Sequence, residues 1–167
     1  MLFNYCINGK QPIRQYPEPA FWRAPVDNDF GNKMPGLAGV WRTAHINRYV
    51  KSVVIEEKNE KGLSIKVDWI LSDIQVPYKM EYLIRNNGSI IVTGSIDLTG
   101  TRLPELPRFG MRMELQQSYE NLTYYGRGPL ENYIDRYSSS FIGRYEYKVE
   151  NQFYWYIRPQ ETGNKTD

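Results

Sequence analysis

The stretch Leu63-Ser64-Ile65-Lys66-Val67-Asp68-Trp69 alternates apolar and polar side chains without a break. A strand with one buried face requires that period of two, because successive side chains leave the backbone on opposite sides. Working outward, Tyr78 to Ile84 keeps the same rule less cleanly. Ser89 to Leu98, SIIVTGSIDL, is rich in β-branched residues that suit a pleated surface. Between them Asn86-Asn87-Gly88 supplies a turn that tolerates positive φ, so the two runs read as a hairpin. Phe109, Met111, Met113 and Leu115 alternate again, and Asn121 to Tyr125 forms another short strand. One stretch argues for a helix: Leu37, Val40, Trp41, Ala44, Ile46 and Tyr49 fall near helical spacing, with Gly36 and Gly39 weakening its start. Strands at this spacing, without repeated strand-helix units, predict an all-β, mainly antiparallel sandwich with one short helix at an end or face.

Composition bounds the function. A chain of 167 residues with 41% apolar content buries one core, so residues 1–167 are read as a single domain. With 21 basic and 19 acidic residues the net charge is +2, far from the concentrated positive field that a phosphate backbone calls for, which argues against nucleic acid as a partner. Cys6 is the only cysteine, so no intramolecular disulfide scaffold is expected. No run approaches the roughly eighteen apolar residues of a membrane-spanning helix, and no membrane partner is expected. The reading is a soluble chain of open compartment, whose Met1-Leu2-Phe3-Asn4-Tyr5 opens in strand-like sequence as an internal cut would.

Two stretches depart from ordinary strand composition: Phe21 to Gly31, FWRAPVDNDFG, and Tyr124 to Arg136, YYGRGPLENYIDR. Each sets arginine, carboxylates and aromatic rings beside proline and glycine, so charged groups converge where the backbone turns. In the first, Pro25 holds Ala24 extended, and Trp22 and Arg23 leave on opposite sides. Asp27-Asn28-Asp29 offers short side chains that bond nearby amides at a tight bend. A sharper reading makes Asp27 and Asp29 acceptors for a sugar or calcium. A calcium loop is disfavoured, because the remaining oxygen ligands and terminal glutamate are missing at the required spacing, and no metal site is assigned.

In the second, Gly126-Arg127-Gly128-Pro129 resembles a phosphate loop only superficially, since neither glycine pattern is completed and Pro129 removes an amide donor. Glu131 and Asp135 are four apart and raise paired-carboxylate hydrolysis. The competing reading is a buried network in which Arg127 or Arg136 neutralises these acids. His45, the sole histidine, is read as structural, being too little for a zinc site. The sequons at Asn87, Asn121 and Asn164 carry no argument for secretion. The cluster Phe153, Tyr154, Trp155 and Tyr156 could stack on sugar faces or serve as core.

Together with Tyr156 to Gly163, YIRPQETG, these stretches closely resemble the signature segments of the small-chain domain of family 2 glycoside hydrolases of the β-galactosidase type, in the family's order and near its spacing. The resemblance spans the whole chain but matches only the first half to two thirds of the family domain. It implies a β-supersandwich, shaped like galactose mutarotases and incomplete here, with missing strands leaving an exposed edge or apolar face that favours dimerisation. It implies a non-catalytic portion of a retaining β-galactosidase acting on terminal β-D-galactosides. The acid and nucleophile glutamates then lie in a separate barrel, and this chain holds no catalytic residue and no cofactor. The implied partners are that barrel, the galactoside through the full enzyme, and a second copy; the implied setting is a bacterial cytoplasm or periplasm.

Arg23, Asp27, Asn28, Asp29, Arg127, Glu131, Asn132, Asp135 and Arg136 are the candidate polar network, structural or interfacial, with sugar contact as the sharper option. The two motifs are expected to dock on one another through guanidinium-carboxylate bridges. Two readings of another class stand beside this: an autonomous carbohydrate-binding module, favoured by 14 tyrosines and four tryptophans, and a mutarotase-like aldose epimerase, for which one histidine is too few.

Overall fold

The computed structural model describes residues 5, 6, 8–57, 62–158 and 160–167. The chain is built from antiparallel β-structure in open sheets, and it divides into two compact units. One comprises residues up to Trp22 together with Pro35–Glu114, the other Arg23–Met34 together with Leu115–Asp167.

The first unit contains a four-stranded sheet in sequence order, β2 (Arg48–Glu57), β3 (Leu63–Leu71), β4 (Val76–Ile84) and β5 (Ile90–Ile96). A second sheet pairs β1 (Ile13–Ala20) with β6 (Gly110–Leu115). The alternation in β3 and β4 sets the register. Leu71 faces Val76, Trp69 faces Tyr78 and Val67 faces Met80, and all six are buried. On the opposite face Ser52 donates to Asp68 (2.7 Å), Ser64 to Glu81 (2.7 Å) and Lys66 to Glu56 (3.1 Å). Onto the apolar face fold Phe21 and Trp41, both fully buried. Phe21 meets the Tyr78 ring edge-on at 5.7 Å and the Trp41 ring at 5.8 Å, geometry that aromatic quadrupoles favour. The indole N–H of Trp41 donates to the Pro104 carbonyl at 3.0 Å, so burial leaves it satisfied.

The two sheets approach closely at Gly94 of β5. A Cβ there would overlap the Tyr78 hydroxyl and lie 2.9 Å from Met111 Cε of β6. The hairpin read from Asn86-Asn87-Gly88 is present: Ile84 pairs with Ile90, Gly88 takes φ of 83°, and Arg85 N–H donates to Ser89 O at 2.8 Å. On the outer strand β2 the register slips between Val50 and Ser52, leaving Lys51 in a bulge.

The helix expected over Leu37 to Tyr49 is corrected. Helical structure there is a single turn, α2 (Met34–Leu37), and a 3₁₀ turn over Gly39–Arg42, and by Arg48 the chain is already β2; ahead of them lies one further short helix, α1 (Asp27–Gly31). The buried positions are Ala38, Trp41 and Ala44, a spacing of three that fits 3₁₀ geometry, while Leu37 and Ile46 are exposed. Gly36, Gly39 and the β-branched run after Tyr49 explain why an α-helix does not propagate.

The second unit pairs β7 (Asn121–Gly128) antiparallel with β8 (Phe141–Lys148), in continuous register from Asn121 opposite Lys148 to Gly128 opposite Phe141. Tyr124, Tyr145 and Tyr147 stack along one face, with centroids 5.5 to 6.5 Å apart. The connection between the strands passes a cis Gly128–Pro129 peptide and a kinked 3₁₀ segment, Ile134–Ser139. Among the described residues no helix is long and apolar enough to cross a membrane.

Candidate functional site: a polar network on three segments

Every candidate residue lies in the second unit. Arg23 reaches over the bend that Pro25 begins and meets Asp29 in a two-pronged pair, Nη2 donating to Oδ1 at 2.7 Å and Nη1 to Oδ2. Asp29 Oδ2 also accepts the Val26 N–H at 2.8 Å, so this carboxylate caps the first turn of α1. Asp29 is buried, and Arg23 is mostly covered. The Arg23 hydrogen bonds hold the Asp29 carboxyl below its ordinary value despite burial, and Asp29 in turn raises Arg23.

Glu131 is the second hub. Oε1 accepts from Arg136 Nη2 at 2.9 Å and from the Tyr156 hydroxyl, while Oε2 accepts the Gly163 N–H at 2.5 Å. Gly163 sits at φ of 75°, a conformation that glycine adopts without strain, which turns its amide toward Glu131. Burial and the hydrogen bond to Glu131 both push the Tyr156 phenol up. Arg136 additionally donates to Gln160 (3.1 Å) and lies 3.7 Å from the exposed Asp135.

Asn132 is the third hub and is fully buried. Its amide donates to the Arg127 carbonyl at 2.9 Å, and its Oδ1 accepts the Thr166 N–H at 3.1 Å and the Thr166 hydroxyl. Its own N–H donates to Asn164 O at 3.0 Å. The Arg127 guanidinium carbon lies 3.6 Å from the Tyr137 ring centroid, and the group donates to Ser140 O at 3.0 Å and pairs with Asp167. The Tyr137 hydroxyl and Arg127 together hold the Asp167 carboxyl below its ordinary value.

The expected arginine-carboxylate pairs therefore exist, but each closes within its own motif: Arg23 with Asp29, Arg136 with Glu131 and Asp135. The segment after Tyr156 ties the motifs together, through Arg158 to Asp27 (3.1 Å) and through Tyr156 and Gly163 to Glu131. Asn28 is exposed, and its carbonyl accepts the Asn32 N–H at 3.0 Å. Tyr156, Gly163, Asn164, Thr166 and Asp167 are network members that sequence reasoning missed. Backbone donors such as the Gly163 N–H carry no residue-type signal.

Chemically, both oxygens of Asp29 and of Glu131 are engaged by donors, so neither is poised to move a proton to a substrate. Glu131 and Asp135 are not a matched acid-base pair, since one is locked by arginine, tyrosine and amide while the other faces solvent. Between the three segments lies an open cleft of about 380 Å³, lined by residues of all of them.

A family model described as beta galactosidase small chain matches residues 1–167. Over 149 residues the chain is 36% identical to a β-galactosidase of Priestia megaterium, covering 89% of this chain and 14% of that protein. It is 35% identical over 161 residues to a β-galactosidase of Halalkalibacterium halodurans, covering 95% and 16%. It is also 35% identical over 162 residues to one of Streptococcus thermophilus, covering 94% and 15%. The chain thus spans 14 to 16% of the length of these relatives. With the family model matching from end to end, this chain belongs to the β-galactosidase small-chain family.

Proposed function

We propose that this chain is a non-catalytic β-sandwich portion of a retaining β-galactosidase that hydrolyses terminal β-D-galactosides. Its three-segment network holds the surface that buttresses the catalytic barrel and supports assembly, while two glutamates of that barrel perform the chemistry. The observation that carries this reading is that both oxygens of Asp29 and of Glu131 are engaged: each carboxylate accepts three hydrogen bonds from arginine, tyrosine or backbone donors. Groups so engaged fix geometry, and releasing them for proton transfer would leave a guanidinium uncompensated in a largely covered site.

The test compares the purified chain with the full-length enzyme on a nitrophenyl β-galactoside. The chain alone is expected to show no turnover. Turnover that survives repeated purification and follows the chain through chromatography overturns the assignment. In the full-length enzyme, Glu131→Gln is expected to lower thermal stability and the yield of assembled enzyme while leaving KM of the folded fraction unchanged.

A further inference from the structure

Strand β2 ends the four-stranded sheet, and among the described residues no other strand pairs with its outer edge. The backbone donors and acceptors on that side are open to an added strand. The regular run they offer is short, because the register slip at Lys51 bounds it to residues 52–57. Val53, Val54 and Ile55 within that run are exposed. Val53 stands opposite the buried Val67 and Ile55 opposite Ile65, so these two side chains carry the apolar face out to the edge and leave it uncovered there.

The order of residues along the run points to its occupant. Two identical strands pair antiparallel about a two-fold axis normal to the sheet, which keeps every side chain on its own face. Residues of the same parity then stand opposite one another, and the axis passes through a single residue. Three axes are central to this run. One at Val53 sets Lys51 against Ile55, and one at Ile55 sets Val54 against Glu56 and Val53 against Glu57. Both oppose a charge to an aliphatic side chain. An axis at Val54 sets Val53 against Ile55, Ser52 against Glu56 and Lys51 against Glu57. Only this axis pairs apolar with apolar and matches opposite charges, twice by symmetry. Lys51 and Glu57 are both exposed, and among the described residues neither is ion-paired, so both are open to a partner.

We propose that the outer edge of β2 is a homotypic docking surface: a second copy of this chain adds antiparallel about the axis at Val54. Val53 and Ile55 of each copy meet on the apolar face, and Lys51 of one copy faces Glu57 of the other. The pairing joins two four-stranded sheets into one of eight strands and closes at two copies, because each copy uses the same edge. The inference goes beyond the supporting role given to the polar network and stands without it. Six residues a side bury less than a standard interface, so association is weak, with a dissociation constant on the order of 10 to 100 µM.

The test is sedimentation equilibrium of the purified chain at concentrations spanning that constant, where a reversible monomer-dimer equilibrium is expected. Hydrogen exchange localises it: amides in residues 52–57 should gain protection as concentration rises, and those of β5 should not. Lys51→Glu and Glu57→Lys each turn both matched pairs into like-charge pairs, and each is expected to weaken dimerisation roughly tenfold or more. The deciding sample is an equimolar mixture of these two variants. There one native pair is kept and the introduced glutamate faces the introduced lysine, so a heterodimer of about the parent affinity is expected. The double variant Lys51→Glu/Glu57→Lys, with the charges exchanged, should dimerise like the parent, and it serves in place of the mixture should a single variant fail to fold. A chain that stays monomeric, a dimer unmoved by either variant, or charge exchange that fails to restore association overturns the proposal. Protection of residues 52–57 in the full-length enzyme that is independent of concentration and of both variants would also overturn it, because the edge would then be covered by the enzyme's own polypeptide.

Discussion

The two units solve the same problem with opposite means. The four-stranded sheet buries Val67, Trp69, Leu71, Val76, Tyr78 and Met80 on one face and covers them with Phe21 and Trp41. The β7–β8 ribbon has only two strands, and Tyr125 and Phe141 on it remain largely exposed. A two-stranded ribbon is marginal by itself in water. Its unit is tied instead by polar hubs: Asp29 closes the first segment on itself, while Glu131 and Asn132 each bind residues of more than one segment. Apolar burial tolerates variation in detail, whereas a polar hub works only when every partner is present. This difference places sequence identity under the tightest physical demand where the fold has least hydrophobic support.

The largest effect expected from breaking this comparison is on the apolar side. Trp41→Ala should cost about 3–5 kcal/mol, read as a lowered urea midpoint, because a fully buried indole leaves a cavity and an unpaired Pro104 carbonyl. A loss smaller than that of any single hub variant would reverse the ranking. Next comes Asp29→Asn, at about 3 kcal/mol, since Arg23 loses its counter-charge in a mostly covered position. The same pair gives acid sensitivity. Because the folded Asp29 carboxyl lies below its ordinary value of 3.8, its stabilisation is complete above that pH and disappears as pH falls through the folded value. Urea midpoints measured from pH 6 down to pH 3 should therefore fall more for the parent chain than for Asp29→Asn, and parallel curves would contradict the pairing.

Asn132→Ala should cost about 2 kcal/mol by stranding the Arg127 carbonyl and the Thr166 amide. Hydrogen exchange checks it directly: Thr166 N–H should lose protection, and retained protection would show that the hub is dispensable. The smallest effect is predicted for Glu146→Ala, which breaks an exposed pair with Arg144 and should shift stability by about 0.5 kcal/mol or less.

Much of the sheet was legible because one face of it is buried. β3, β4, β5 and β6 fall where alternation or β-branched composition places them. β1 was hidden by Pro17 and Pro19, which argue against an interior strand but are tolerated in a two-stranded sheet. The start of β2 was read as helix because Trp41, Ala44 and Tyr49 mimic its spacing, although the burial follows a 3₁₀ turn. In the site, residue types gave the pairing chemistry but not the partners. Arg23 finds Asp29 six residues on and not the nearer Asp27, and Arg136 holds Glu131 five residues back more closely than the adjacent Asp135, because the turns and not sequence distance decide which carboxylate faces each guanidinium.

The bulge at Lys51 has a bearing on how this chain behaves at high concentration. β2 is the outer strand of its sheet, and Tyr49, Val50, Val53, Val54 and Ile55 on it are exposed. A flat apolar strand of that kind is a template on which another molecule's strand can add, the first step toward fibrillar aggregates. An unpaired lysine in the middle of the strand twists the edge and places a charge where a continuous ladder would need none. The slip at Lys51 thus interrupts the run of regular pairing that strand addition along this edge would extend.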